Sequence, residues 1–192
     1  MHDIEPYFQW RDLYVASEDQ RSPFYGRHYD EFYFTHTIYN YYIHPQWDEF
    51  GSSTLYLKIL FADYEHRYAI LELIGEWNDC IYGDIMTLRR EITDLQQKEG
   101  ITKFILVAEN VLNYHAAEDN CYYEEWHEEI SDEEGWIAIV NPLDHVADEM
   151  LKYGLQDYVH ILTGSAWRGN KPRYLLKWVE SQLSSPQMLR VG

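Results

Sequence analysis

The sequence predicts an α/β protein: a mixed β-sheet backed by α-helices, with an aromatic-rich β extension ahead of it. Three observations lead there. From residue 54 onward the apolar period switches back and forth between two and about three and a half. Two short segments, Phe104-Ile105-Leu106-Val107-Ala108 and Trp136-Ile137-Ala138-Ile139-Val140, are apolar throughout, as strands buried on both faces require. Glycine and proline close the helical patterns at Gly100, Gly154 and Pro186.

Taken in order, residues 1–30 are polar and aromatic without a period, and Arg21-Ser22-Pro23-Phe24-Tyr25-Gly26 reads as a turn. Glu31 to Ile43 is rich in Phe, Tyr, Thr and Ile on both alternating faces and predicts one strand ending before Pro45. Leu55, Leu57, Ile59 and Phe61 alternate, and Tyr68 to Ile74 follows a polar turn, so the two segments form an antiparallel hairpin. Ile85, Leu88, Ile92 and Leu95 make the stripe of an amphipathic helix, with Arg89, Arg90, Glu91 and Asp94 on its outer face. Tyr123, Trp126 and Ile130 mark a second helix, with Glu124, Glu125, Glu128 and Glu129 elsewhere on it. Asn141 is placed to cap a helix whose first residue is Pro142, continued by Val146, Met150 and Tyr153. Tyr158 to Leu162 reads as a strand, and Leu175, Trp178, Val179 and Leu183 as a last helix. Strands joined through helices imply parallel pairing and right-handed crossovers. The division expected is an extension over 1–53, an α/β domain over 54–183 and a tail over 184–192.

Charge and composition narrow the function. Fifteen Lys and Arg against 33 Asp and Glu give a net charge of −18, which repels nucleic acid and anionic lipid. No apolar stretch is long enough for an integral membrane segment, and the amino-terminal residues lack signal-peptide character, so the cytoplasm is the expected location. Two cysteines, Cys80 and Cys121, without paired spacing suggest neither a disulfide framework nor a zinc clamp, and no cofactor is expected. The charge is polarised: residues 166–192 carry five Lys or Arg against Glu180 alone, while 118–134 carry nine Asp or Glu and no Lys or Arg.

The strand Ala69-Ile70-Leu71-Glu72-Leu73-Ile74-Gly75 leading into Glu76-Trp77-Asn78-Asp79 resembles the STAS family of bacterial anti-sigma factor antagonists and the related SpoIIAA-like and SEC14-like domains. Trp136 through Pro142, then Val146, Leu151 and Gly154-Leu155, resembles that family's strand, short helix and Gly-Leu before the last strand. The resemblance spans roughly residues 54–183 and implies a SpoIIAA-like mixed sheet. It also implies a non-enzymatic regulatory domain acting through a protein partner, or, from the SEC14-like branch, a small-molecule or lipid carrier. Phosphoregulated members carry an Asp-Ser-Ser-Gly-like motif after the central strand. Here that stretch is Asn113-Tyr114-His115-Ala116-Ala117-Glu118-Asp119, and no serine lies between Tyr82 and Ile130, so a serine phosphoswitch is not expected.

Parallel sheets place ligands beyond the carboxyl ends of their strands. That puts the candidate binding residues, Glu109, Asn110, Asn113, Tyr114, His115 and Asp119, on a loop after the central strand. A third reading makes this a hydrolytic or metal-assisted enzyme, with His115 as a general base oriented by Asp119 or Glu109. The metal version draws on His115, Asp119, Glu124 and His127, without a spacing that fixes a second half-site. The candidate interface residues are Phe32, Phe34, Tyr39, Tyr41, Tyr42 and Trp126, since tyrosine joins an apolar body to a polar tip. The acidic run makes a basic protein the expected partner, and the aromatic extension offers a surface for a homodimer.

Overall fold

Alternation and period build the sheet and its helices in the order expected. In the computed structural model, which describes residues 4–30 and 32–184, the elements of the main body are β3 (Leu55–Asp63), β4 (Tyr68–Asn78), α1 (Asp84–Leu88), a π-helical turn (Arg89–Thr93), α2 (Asp94–Lys98), β5 (Lys103–His115), α3 (Cys121–Ser131), β6 (Trp136–Val140), α4 (Asp144–Lys152), a 3-10 turn (Leu155–Asp157), β7 (His160–Leu162) and α5 (Pro172–Ser184). Ahead of them lie β1 (Thr37–Ile38) and β2 (Tyr41–Tyr42). Strands β3 to β7 lie in sequence order across one sheet, the first pair antiparallel and the rest parallel. The expected tail after Ser184 falls outside the described residues.

Both faces of the sheet are covered, by different parts of the chain. On one face Leu55, Leu71, Phe104, Leu106 and Ile139 pack against Ile85, Leu88 and Ile92, against Trp126 and Ile130 of α3, and against Val146 and Met150 of α4. On the other, Ile70, Ile105, Val107, Ala138 and Val140 meet Leu175, Leu176 and Val179 of α5 together with Tyr7, Trp10 and Trp167. The amino-terminal arm therefore completes a third layer. Its rings are fixed by mutual edge contacts, Tyr7 to Trp10 at 5.1 Å and Tyr7 to Trp167 at 4.8 Å between centroids. Ile38, Ile43 and Trp47 extend the same layer over Tyr56 and Ile74.

Four expectations need correction. The segment after residue 31 is a hairpin, in which Ile38 pairs with Tyr41 across a two-residue turn that opens with Tyr39 at φ 54°. Ile38 and Ile43 turn inward while Tyr39, Tyr41 and Tyr42 face out, so the two-sided apolar pattern records a reversal. The helix stripe runs Ile85, Leu88, Ile92 and then Gln96, because the π turn adds a residue and rotates Leu95 outward. Arg89 is buried, its guanidinium 2.8 Å from Glu125 and 2.7 Å from Glu129 of α3. Asn141 does not cap α4, whose N-cap is Leu143; at φ 52° it instead bonds Glu109 and both backbone polar groups of Ser165.

Candidate functional site

The carboxyl end of the parallel sheet is shaped by irregularities in β5. Val107 pairs with Glu72 but Asn110 with Ile74, and Val111 pairs with Gly75 but Asn113 with Glu76, so β5 carries two extra residues. Such bulges re-aim side chains. Here the buried positions become Ala108, Val111 and Tyr114, a spacing of three where a regular strand has two. Residues 109–115, expected as a loop, are strand. The extension is braced where β4 meets β3: Gly75 sits at φ +119°, and a Cβ there would lie 2.1 Å from the carbonyl oxygen of Thr54.

The bulges divide the candidate residues among three places. Glu109 and Asn110 point to the arm-covered face, where Glu109 accepts from Asn141 and Trp167, each at 2.8 Å, and from Arg168 Nε at 3.0 Å. Beside it Glu72, 0% exposed, accepts the Tyr7 backbone N–H at 2.7 Å and Arg168 Nη2 at 2.8 Å. Burial raises the Glu72 pKa, against the pull of these two donors. Burial also opposes the Arg168 charge, but Glu72 and Glu109 outweigh it and raise its pKa. Every carboxylate oxygen here has a partner, so the cluster is a clamp joining the arm, the sheet and the loop before α5.

Tyr114 goes to the opposite face and is buried beside Trp77 and Tyr123. It cannot line an open binding loop. Below it, Asp79 accepts from Trp77 Nε1 at 3.0 Å, Ile85 N–H at 2.8 Å and the Tyr123 hydroxyl at 2.7 Å. Burial lifts its pKa to about 6, with those donors pulling the other way. Burial, reinforced by the Asp79 charge, raises the Tyr114 and Tyr123 hydroxyls, so both stay protonated.

Asn113 and His115 remain at the surface and converge on Glu76. Asn113 Nδ2 donates to Glu76 Oε1 at 3.2 Å, His115 Nε2 lies 3.5 Å from the same oxygen, and the Tyr39 hydroxyl of the hairpin donates to it as well. Asp119 instead accepts the Cys121 N–H at 3.2 Å, at the start of α3. The residue beside His115 is thus Glu76, whereas both expected partners are engaged elsewhere. Among the described residues no three His, Cys, Asp or Glu side chains group to hold a metal ion.

Around this polar knot the rim is apolar and open. Ile81 and Tyr82, on the loop after β4, are 73% and 49% exposed, and Leu112, the second bulge residue, is 40% exposed. Leu143, just before α4, is also exposed, and His145 of that helix meets the Leu112 carbonyl at 2.7 Å. Of the proposed interface residues, Phe32, Tyr39, Tyr41 and Tyr42 are exposed and Phe34 is half-buried. Trp126 is 0% exposed, packed edge-on against Phe104, and belongs to the core. Sequence reasoning passed over Glu72, Glu76 and Asp79. Glu72 had a signal, as a lone charge inside a strand apolar on both sides.

No protein-family model and no curated protein matches the chain. Among solved structures, it is similar to a Thermotoga maritima protein provisionally described as an anti-sigma factor antagonist, at 18% identity and a TM-score of 0.42, covering 65% of this chain and 92% of that one. No helix among the described residues is long and apolar enough to cross a membrane.

Proposed function

We propose that the chain is a non-enzymatic STAS-like regulatory module that binds a protein partner at the carboxyl end of its parallel sheet, without a serine phosphoswitch. The observation that carries this reading is the exposure of four apolar side chains, Ile81, Tyr82, Leu112 and Leu143, on segments at the carboxyl end of the sheet, since apolar surface gathered among polar groups is the usual mark of an interaction surface. The carboxylates that a His115 enzyme would use are engaged by the protein's own donors: Glu76 by Tyr39 and Asn113, Glu109 by Asn141, Trp167 and Arg168, and Asp119 by the Cys121 N–H. A basic partner fits the charge. Arg89 takes up Glu125 and Glu129, and Arg67 takes up Glu133, whereas Glu124 and Glu128 form a second row on α3 with no ion pair among the described residues. A binding partner retained by the tagged protein should be lost on Ile81→Asp and weakened several-fold by Glu124→Lys with Glu128→Lys. Equal retention by all three proteins would sink the proposal. Pairing of two copies through the exposed tyrosines of the β1–β2 hairpin, Tyr39, Tyr41 and Tyr42, is the competing use of the surface, and sedimentation of the pure protein at micromolar concentration separates the two.

A second reading, a small-molecule carrier, is favoured by two cavities under the arm. The larger, about 850 Å³, lies between residues 23–51 and the helical segment from Thr87 to Leu95. The smaller, about 280 Å³, lies between residues 6–29 and β3.

A further inference from the structure

We propose that the smaller cavity under the amino-terminal arm is a binding site for a small aromatic anion, of the class of single-ring carboxylates; this rests on the carrier reading and gives it a ligand. The walls decide the chemistry. Tyr7, Trp10, Tyr14 and Tyr29 supply the flat apolar surfaces, and Arg11, Arg27 and Lys58 supply the charge. In a chain with 33 acidic and 15 basic residues, this lining contains three bases and, among the described residues, no carboxylate.

The carboxylates nearest these cations lie outside the lining. Lys58 Nζ lies 3.1 Å from one oxygen of Asp48, and Arg27 lies 3.2 Å from the other, so two cations share one carboxylate. That second oxygen also accepts the Tyr29 hydroxyl at 2.7 Å. Arg11 pairs with Glu5 at 3.0 Å. Three cations thus line the cavity, whereas Asp48 and Glu5, with which they pair, and Asp19, which accepts the Tyr14 hydroxyl at 3.0 Å, are not part of the lining. Burial lowers the Lys58 pKa, and Arg11 and Arg27 press the same way against the pull of Asp48, so an anion in the cavity would relieve the strain on this ammonium. The ammonium is 3.6 Å from the centroid of the Tyr29 ring, so apolar and cationic surfaces adjoin.

Size and rigidity set the rest. A volume of about 280 Å³ holds one ring with a short acidic substituent and is below the range of drug-sized sites, so a long acyl chain does not fit. The Tyr7 and Trp10 walls are fixed by edge and tilted ring contacts with Trp167. The larger cavity differs in sign: Asp30, Asp48, Glu49 and Glu91 line it against Arg27, which disfavours an anion there.

The test is calorimetric titration of the whole protein with benzoate, benzyl alcohol and benzylamine. Benzoate should bind saturably with a Kd on the order of 1 mM or tighter, the range open to so small a ligand, and about tenfold or more tighter than benzylamine. Arg11→Gln, at the rim, should weaken benzoate about fivefold, the size of one half-exposed charge contact, and leave benzyl alcohol unchanged. Lys58→Met should abolish the preference for benzoate. Should that variant not fold, Lys58→Arg keeps the Asp48 pair and should keep the preference. If the alcohol or the amine binds as well as benzoate, the anion assignment is wrong while the carrier reading stands. If none of the three binds, the proposal is wrong and the carrier reading keeps only the larger cavity.

Discussion

Arg168→Gln isolates the electrostatics that hold the arm to the sheet. Its Nη2 lies 2.8 Å from Glu72 and 2.9 Å from Glu109. Each pair is worth about 4 kcal/mol at an effective dielectric of about 20 and about 1 kcal/mol in water. Arg168 is half exposed, so solvent screening brings the figure to about 2 kcal/mol per carboxylate. Glu109 keeps its bonds from Trp167 and Asn141, but Glu72 keeps only the Tyr7 N–H and a 3.5 Å contact with Asn110. The loss therefore falls mainly on Glu72, and the variant should be about 3 kcal/mol less stable at pH 7. The sign of its pH dependence follows from linkage. Burial already raises the Glu72 pKa above its unfolded value, and losing Arg168 raises it further. The folded state then holds the proton more tightly than the unfolded state, so stability falls as pH rises above the ordinary carboxylate range. The cost of the substitution should grow from pH 5 to pH 8. With an m-value of about 2 kcal/mol/M, urea unfolding followed by circular dichroism should show a midpoint lowered by about 1.5 M at pH 7. Adding Glu72→Gln should restore a large part of that loss. A cost below about 1 kcal/mol at pH 7, or one that is equal at pH 5 and pH 8, would refute the reasoning.

The remaining expectations follow from single contacts. Gly75→Ala should cost more than about 3 kcal/mol, or prevent folding, because its Cβ would meet the backbone of Thr54 at 2.1 Å and φ is +119°; a melting temperature within a few degrees of the parent would contradict it. Asp79, raised to about 6 in the folded state from an ordinary 3.8, should withdraw up to about 3 kcal/mol of stability as pH rises through that window. Asp79→Asn should flatten that part of the pH–stability profile whatever it does to stability at one pH. A chain beginning at residue 54 should bind a hydrophobic dye and self-associate, since it uncovers Ile70, Ile105 and Val107 where Tyr7 and Trp10 now cover them; a monomeric, dye-free fragment would show the arm to be dispensable.

Period and run length were enough to read the sheet and its helices, because Leu55 to Ile59, Phe104 to Ala108 and the α3 stripe follow simple geometry with little tertiary interference. Two of the misreadings sit where a residue is inserted. A π turn replaces Leu95 by Gln96 on the buried side, and two bulges turn a strand of period two into one of period three at Val111 and Tyr114. Neither insertion has a local sequence signature, since each is stabilised by partners far along the chain: Arg89 by Glu125 and Glu129, the bulged strand by β4. The site was legible only as an address. Asn113 and His115 do reach the surface at the carboxyl end, but Glu109 and Asn110 are absorbed by Arg168 and Glu72, and Tyr114 and Trp126 by the core.

The distribution of charge explains why two separate surfaces merit testing. Where the chain buries a carboxylate it supplies donors: Arg168 for Glu72, Arg27 and Lys58 for Asp48, and Tyr123 with two N–H groups for Asp79. An unpaired buried charge costs several kcal/mol, so this matching is what stability alone demands. The acidic row on α3 needs no such match, because water solvates it, and it is free to attract a cation from outside. The cavity under the arm is the reverse case, a half-enclosed wall with more cations than anions. Asp48 accounts for Arg27 and Lys58, yet the lining itself carries no carboxylate, and Arg11 and Arg27 lower the Lys58 pKa. An external anion supplies the missing charge, and the same arm that walls this cavity sends Tyr39 to Glu76 at the rim of the sheet. One segment of chain thus touches both candidate surfaces, so a point substitution such as Arg11→Gln or Ile81→Asp, which leaves the arm in place, is the perturbation that can tell them apart.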